Sequence, residues 1–271
     1  MGKIVGAFAT SHVLFSPDGV DDAAERVFAG MMQIRVRIAA LRPDAAIIIN
    51  SDHMNNFTLK AQVTLAVGVA DSFTPLGDMG LPRTPFPGCR ALAEAISRRS
   101  AAAGFDLTQV EEVEPDHGMA LSKLIADVSN SLPIVPLYIN MNMPVPPSPA
   151  RCYALGAVLK EAVEKDRPAD ERVIVVAGGG LSHWLSTTGH GTVAEAFDRH
   201  FMTMMVSGQS AELAKISLDE LERESGNGGL ELGCWLCMAG SVPEAKGEIV
   251  YYEPIPLWDT GMGGLELKPL V

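Results

Sequence analysis

Histidines follow three apolar runs of the sequence. The chain has only six histidines, yet His12 follows KIVGAFATS, His53 follows AIIINSD and His183 follows RVIVVAGGGLS. Such runs predict buried strands, and in α/β sheets ligands bind beyond the carboxyl ends of the strands. Any one of these histidines alone is best explained as a hydrogen-bonded structural residue. Three at equivalent positions favour a shared site.

Neutral imidazoles that converge on one point are typical metal ligands, and imidazole suits Zn, Cu, Fe and Ni. Two histidines and a carboxylate on one face of an octahedron leave positions open for substrate and O₂, as in non-haem Fe(II) oxygenases. Glu231 is the candidate carboxylate, because it stands in NGGLELG at the start of an apolar helix, where an unpaired charge is costly to bury. An acid stabilised by the helix dipole in a first turn would explain Glu231 equally well.

The other three histidines give one further candidate. His117 stands in EPDHG, in a predicted loop before a helix, and could point to the same site. His200 lies beside Asp198 and Arg199 on a predicted helix, which favours a surface position. His190, in a glycine-flanked loop, stays ambiguous.

Five short motifs follow one another between residues 12 and 231: ATSH, NSDH, PDHG, GGGLSHW and NGGLE. In this order they resemble the class III extradiol dioxygenases, and GGLSHW together with NGG-x-E is the most specific part of the likeness. The resemblance implies an α/β fold and an enzyme that uses O₂ to open catechol-type rings beside the paired hydroxyls.

The resemblance also implies residue roles. It implies three Fe(II) ligands, namely His12, His53 and Glu231. His183 would be the acid/base residue beside the substrate, and His117 a second active-site histidine. Asp52, adjacent to His53, would be an outer partner that orients a ligating imidazole, although a turn residue explains Asp52 equally well.

Two other functions use the same residues. A zinc or other metal hydrolase could employ the His/Glu cluster and would work without O₂. A non-catalytic relative of the family would have lost its metal, which the retention of every matched ligand argues against.

Alternating strands and helices must position these residues. Strands are predicted at 3–9, 45–50, 62–69, 132–140, 172–180 and 248–255. Helices are predicted at 21–41, 89–103, 119–128, 150–165, 193–206, 211–224 and 228–240. This alternation predicts an α/β fold over residues 1–271, a single domain with a central, largely parallel sheet flanked by helices. The segments 71–88 and 141–150 are predicted to be loops that set the substrate choice.

Composition narrows the partners and the compartment. The formal net charge of −12 disfavours nucleic acid, which demands a basic face. No apolar run reaches 18 residues, so no membrane span is expected. Cys234 and Cys237 have CxxC spacing but stand in an apolar stretch, which favours two small buried hydrophobes, and the four cysteines indicate a reducing cytoplasm.

A small aromatic compound and O₂ are therefore the expected partners. A carboxylated substrate would need a cation, for which Arg83 is a candidate, although a surface position is favoured. We also expect a homo-oligomer, with a small accessory subunit as a further possibility. The segment 260–271 would pack across a neighbouring subunit or dock on its own core.

Overall fold

The computed structural model describes residues 1–270 and contains ten strands. They are β1 (Lys3–Thr10), β2 (Ala45–Asn50), β3 (Leu65–Gly68), β4 (Ser72–Phe73), β5 (Phe86–Pro87), β6 (Thr108–Val110), β7 (Ile134–Ile139), β8 (Arg172–Ala177), β9 (Lys246–Ile255) and β10 (Thr260–Lys268).

Eight α-helices lie within the same residues. They are α1 (Asp21–Leu41), α2 (Arg90–Ala102), α3 (His117–Ala126), α4 (Pro149–Asp166), α5 (Glu195–Val206), α6 (Ser210–Leu213), α7 (Leu218–Gly229) and α8 (Leu232–Gly240). Among residues 1–270, none of these helices combines the length and the apolar character that a bilayer crossing requires.

Eight of the strands form one sheet in the order β6-β3-β7-β2-β8-β1-β10-β9. The central strands β7, β2, β8 and β1 are parallel to their neighbours in this group, whereas β10 and β9 add an antiparallel edge. The predicted α/β fold with a largely parallel central sheet is confirmed. Because the four central strands run the same way, their carboxyl ends meet at one edge of the sheet.

Apolar side chains cover both faces of the sheet. Successive side chains of β2 point to opposite faces of the sheet. Ile47 and Ile49 belong to the core that is covered by α2, α4 and α8, whereas Ile48 belongs to the core that is covered by α1 and α3. All six residues of β2 are buried. A strand covered on both faces reads as a continuous apolar run, which is why AAIIIN is recognisable from sequence.

Two strands of this sheet, β6 and β10, were not predicted from the sequence, and other strands are shorter than predicted. Residues 260–268, predicted as a tail, form β10, which pairs with β1 on one side and β9 on the other. The segment therefore docks on its own core, and residue 271 lies outside the described residues. The strand predicted at 62–69 is only β3, and β6 was not predicted.

Three other segments differ from the prediction. The helix predicted at 211–224 is two helices, α6 and α7, and α7 extends to Gly229 with a break at Gly226, whose φ angle is 84°. The helix predicted at 228–240 is divided: Gly228 and Gly229 end α7, Leu230 and Glu231 keep right-handed helical backbone angles, and α8 begins at Leu232. The segment 71–88 also contains the short hairpin of β4 and β5.

Close packing against α4 holds α8 in place. A Cβ atom at Gly156 in α4 would overlap the carbonyl oxygen of Cys237, and one at Gly240 in α8 would overlap that of Tyr153. Both glycines are buried, so the two helix backbones approach each other closely. Glu231 directly precedes α8, and its carboxylate is held more directly by the backbone N–H of Gly180, which donates to Glu231 Oε2 at 3.2 Å.

We expect Gly156→Ala to lower the free energy of unfolding by about 1–3 kcal/mol, because the added methyl group must push the two helix backbones apart. Urea unfolding followed by circular dichroism measures the change. The control is Ala157→Ser, at the next residue of the same helix, which is exposed. Equal stability of the two variants would contradict the proposed backbone contact.

Candidate metal centre and active site

The carboxyl edge of the sheet brings the predicted site residues together. His12 lies beyond β1, His53 beyond β2, and His183 in the loop that follows β8. His117 is the first residue of α3, and Glu231 directly precedes α8.

Glu231 lies between two imidazoles. Its Oε2 atom is 3.5 Å from His12 Nε2, and its Oε1 atom is 3.2 Å from His53 Nε2. The ring centroids of His12 and His53 are 5.1 Å apart, and that of His117 is 4.2 Å from His53. Two nitrogen donors and one carboxylate therefore face a common point.

His117 offers a further nitrogen to the same point. One nitrogen each from His12, His53 and His117 lies within 4.8 Å of the others, which is close enough to hold a metal ion. The cluster therefore contains one more donor than a two-histidine, one-carboxylate site needs. Either Glu231 or His117 could complete a set with His12 and His53 on this geometry.

Asn50 determines which nitrogen of His12 carries the proton. The Asn50 amide nitrogen donates to Gly118 O and Ser122 Oγ, both at 3.0 Å. The Asn50 oxygen is therefore left to accept a hydrogen bond, and His12 Nδ1 donates to it at 2.8 Å. The His12 Nε2 atom keeps its lone pair, which points towards Glu231 and is free for a metal.

Carboxylates hold two other histidines in the same way. His53 Nδ1 donates to Asp116 Oδ2 at 3.0 Å, and the backbone N–H of His53 donates to the same oxygen. His117 Nδ1 donates to Asp78 Oδ2 at 2.6 Å. Acceptors behind the ring fix its orientation and make a ligating imidazole more basic.

The charges of the cluster depend on one another. Burial lowers the pKa of His12 to about 4, which keeps this imidazole neutral. Burial also opposes the charged forms of His53 and Glu231, but their neighbours have the larger effect. Asp116 and Glu231 raise the pKa of His53 well above its usual value. His12 and His53 hold the pKa of Glu231 far below the usual value of a glutamate. Likewise burial raises the pKa of Asp116, but the hydrogen bond from His53 brings it down to about 2.

His183 lies against the glycines of the NGGLE motif. Its Nδ1 atom donates to Leu181 O at 2.9 Å, which leaves Nε2 unprotonated in the neutral ring. A Cβ atom at Gly228 would overlap His183 Nε2. The glycine at 228 is therefore required for the backbone to approach the imidazole this closely.

Asp52 was predicted either as a turn residue, which bonds to nearby backbone N–H groups, or as an outer partner, which bonds to the ring of a ligating histidine. Asp52 accepts hydrogen bonds from the backbone N–H groups of Asn56 and Phe57, which is the behaviour of a turn residue. The carboxylate on the His53 ring belongs to Asp116.

Three outer partners were missed by the sequence reasoning: Asn50, Asp116 and Asp78. Asn50 had a signal, because it is the one polar residue that ends the buried run AAIIIN. Asp116 also had one, because it stands beside His117 in the PDHG motif. Asp78 had none, since it lies 39 positions from His117 in a proline- and glycine-rich segment.

The remaining histidines and the CxxC cysteines contribute no donor to this cluster. His190 and His200 are both exposed. Cys234 and Cys237 are buried in α8 as free cysteines, as predicted. Burial raises the pKa of both thiols well above the usual value, so neither is a ready metal ligand or redox group.

Comparison with known proteins identifies relatives along nearly the whole chain. Residues 6–263 match the family model described as the catalytic LigB subunit of aromatic ring-opening dioxygenase. The 2,3-dihydroxyphenylpropionate/2,3-dihydroxicinnamic acid 1,2-dioxygenase of Burkholderia vietnamiensis is 24% identical over 92% of this chain and 93% of its own length. The enzyme of the same name from Escherichia coli O139:H28 is 25% identical over 93% of this chain and 94% of its own.

A solved structure has the same fold. It is the crystal structure of uncharacterized protein JW3007 from Escherichia coli K12, which aligns with a TM-score of 0.63 at 18% identity and covers 97% of this chain and 99% of that one.

We expect Asp116→Asn to weaken metal binding about 10- to 100-fold, because the amide keeps the shape of the side chain but removes the charge that supports His53. Competition with a chromophoric chelator measures the affinity for Fe(II) or Zn(II). Glu112→Gln, which alters a nearby exposed acid, is the control. Unchanged affinity in Asp116→Asn would show that Asp116 does not support the metal site.

Proposed function

The chain belongs to the LigB family of aromatic ring-opening dioxygenases, and we propose on this basis that His12, His53 and Glu231 hold Fe(II) in an extradiol catechol dioxygenase. The observation that carries the proposal is the position of Glu231, whose two oxygens face the Nε2 atoms of His12 and His53. This is the donor set of a two-histidine, one-carboxylate site, which suits Fe(II) and leaves positions open for substrate.

The hydrogen bonds around the donors support a metal rather than a structural cluster. Asn50 and Asp116 take up the Nδ1 protons of His12 and His53, so that both Nε2 atoms are directed at the same point as Glu231. Two imidazoles and a carboxylate thus converge in a largely buried space. Bound Fe(II) would supply the Lewis-acid and redox chemistry that allows a catechol to react with O₂.

His183 and His117 are proposed to handle protons. A catechol must lose its hydroxyl protons to react, and a positioned imidazole is suited to take one near neutral pH. His183 offers an Nε2 lone pair, because its Nδ1–H is held by Leu181 O. His117 is a second acid/base candidate, since its Nδ1–H is held by Asp78.

The substrate is proposed to be a catechol-type compound, and the relatives suggest one with an aliphatic acid side chain, as their names contain 2,3-dihydroxyphenylpropionate. Arg83 does not offer a free cation for its carboxylate. The Arg83 guanidinium donates to Glu114 at 3.1 Å and to Leu76 O at 3.1 Å. Recognition of a carboxylate would therefore have to use another group.

A homo-oligomer, with or without a small accessory subunit, and a cytoplasmic location are further parts of the proposal. The cytoplasmic location is supported by the four free cysteines, because disulfides are rare in a reducing compartment.

The function is tested by O₂ consumption. Anaerobically Fe(II)-loaded protein is mixed with a panel of catechol, protocatechuate, gallate, 2-aminophenol and 2,3-dihydroxyphenylpropionate, and O₂ uptake is followed together with the absorbance of yellow ring-fission products. We expect uptake with at least one member. No O₂ uptake with any member would contradict the proposal. A metal hydrolase would instead act on a substrate with a hydrolysable bond, without O₂, and would stay active when Zn(II) replaces Fe(II).

Variants separate binding of iron from proton transfer. We expect His12→Ala and Glu231→Ala to lose both iron and activity, whereas His183→Ala should keep iron and lose about 100-fold or more in kcat. His200→Gln, at an exposed position on α5, is the control. Full activity of metal-free protein would refute the proposal.

A further inference from the structure

A loop between β4 and β5 brings Asp78 to His117. Asp78 lies in a short 3₁₀ turn, Asp78–Gly80, and its Oδ2 atom accepts the hydrogen bond from His117 Nδ1 at 2.6 Å. The two residues are 39 positions apart, so the contact is created by the fold and not by the local chain.

The carboxylate of Asp78 serves no purpose within its own turn. An aspartate in a turn usually accepts hydrogen bonds from nearby backbone N–H groups, but among the described residues the Asp78 carboxylate bonds to the His117 ring instead. Within residues 1–270, the buried Oδ1 atom of Asp78 has no hydrogen-bond partner. The imidazole of His117 is therefore the group that makes an acid at position 78 useful.

The backbone around Asp78 is held in an uncommon conformation. Gly77, Met79 and Gly80 all have positive φ angles, of 80°, 51° and 74°. For Met79, which has a Cβ atom, this conformation costs about 1 kcal/mol or more. Such backbone strain persists only where surrounding contacts hold it in place, and it occurs most often at functional sites.

Those contacts attach the loop to the segment that leads into His117. Leu76 N donates to Pro115 O at 2.9 Å. Arg83 joins Leu76 O to the carboxylate of Glu114, with both distances at 3.1 Å. These hydrogen bonds hold the loop against residues 114 and 115, just before His117, and Arg83 makes two of them.

We propose that Asp78 is a positioning residue for His117, which fixes the proton on Nδ1 and aims Nε2 at the metal cluster. The inference rests on the proposed function, since it assigns a task in catalysis to His117. The arrangement is the one that orients a catalytic histidine in a Ser-His-Asp triad, where an aspartate holds the imidazole in the correct tautomer. His183 differs, because its Nδ1–H is held by a neutral backbone carbonyl.

The variant Asp78→Ala tests the proposal by removing the acceptor. We expect kcat to fall about tenfold or more, with KM changed less than about threefold and iron content unchanged, because the lost orientation affects proton transfer and not binding. Asp78→Asn should recover part of kcat, since its amide oxygen can still accept the His117 Nδ1 proton.

Nitrogen NMR of histidine-labelled protein without added metal, so that no metal on Nε2 sets the tautomer, gives a readout independent of turnover. The signals of His117 are assigned by their loss in His117→Gln. In the wild type we expect Nδ1 protonated and Nε2 unprotonated, and in Asp78→Ala a mixture of the two tautomers. Asp71→Ala is the matched control, because Asp71 lies just before β4, is 78% exposed and, within residues 1–270, forms an ion pair only with Arg90.

These experiments test the role of Asp78 separately from the proposed function. A wild-type tautomer in Asp78→Ala overturns the proposal, whatever happens to kcat. A kcat equal to that of Asp71→Ala overturns it as well. If the wild type opens no catechol ring, the proposed function fails, but the NMR comparison still decides whether Asp78 sets the tautomer of His117.

Discussion

The carboxylate of Glu231, enclosed between two imidazoles, is the interaction on which the rest of the structure depends. A buried carboxylate is costly unless positive or metal-binding groups surround it. His12 and His53 reach it only because β1 and β2 are parallel members of one sheet and end at the same edge. The start of α8 brings the acid to them, and the backbone N–H of Gly180 donates to it at 3.2 Å.

A second layer of residues makes the donors usable. Asn50 at the end of β2 and Asp116 at the start of α3 hold the Nδ1 protons of His12 and His53, and Asp78 does the same for His117. These partners belong to a strand, a helix and a loop that are far apart in the chain. The direction of each nitrogen lone pair is therefore a property of the whole fold, and a substitution distant from the cluster can change it.

Local patterns predicted much of the fold and of the candidate site. The helix over 21–41 and the strand over 45–50 have the predicted bounds, because strong periodicity and continuous burial are encoded within each segment. His12, His53, His117 and Glu231 converge because all follow or precede such elements. The glycine-rich strand β10 was missed because its pairing with β1 gives no local signal. Asp78 was missed because nothing near it in the sequence indicates His117.

The place of β10 has a consequence for how the protein is made. Gly263 donates to Ser11 across 252 positions of the chain, next to the strand that presents His12. During synthesis, β1 leaves the ribosome long before β10 has been made. The edge of β1 that pairs with β10 therefore has no neighbouring strand until then. Pairings of such long range are slow to form and leave strands exposed to aggregation in the meantime. His12 is therefore translated early, but the strand that covers this side of β1 can pair with it only after residue 263 has been made.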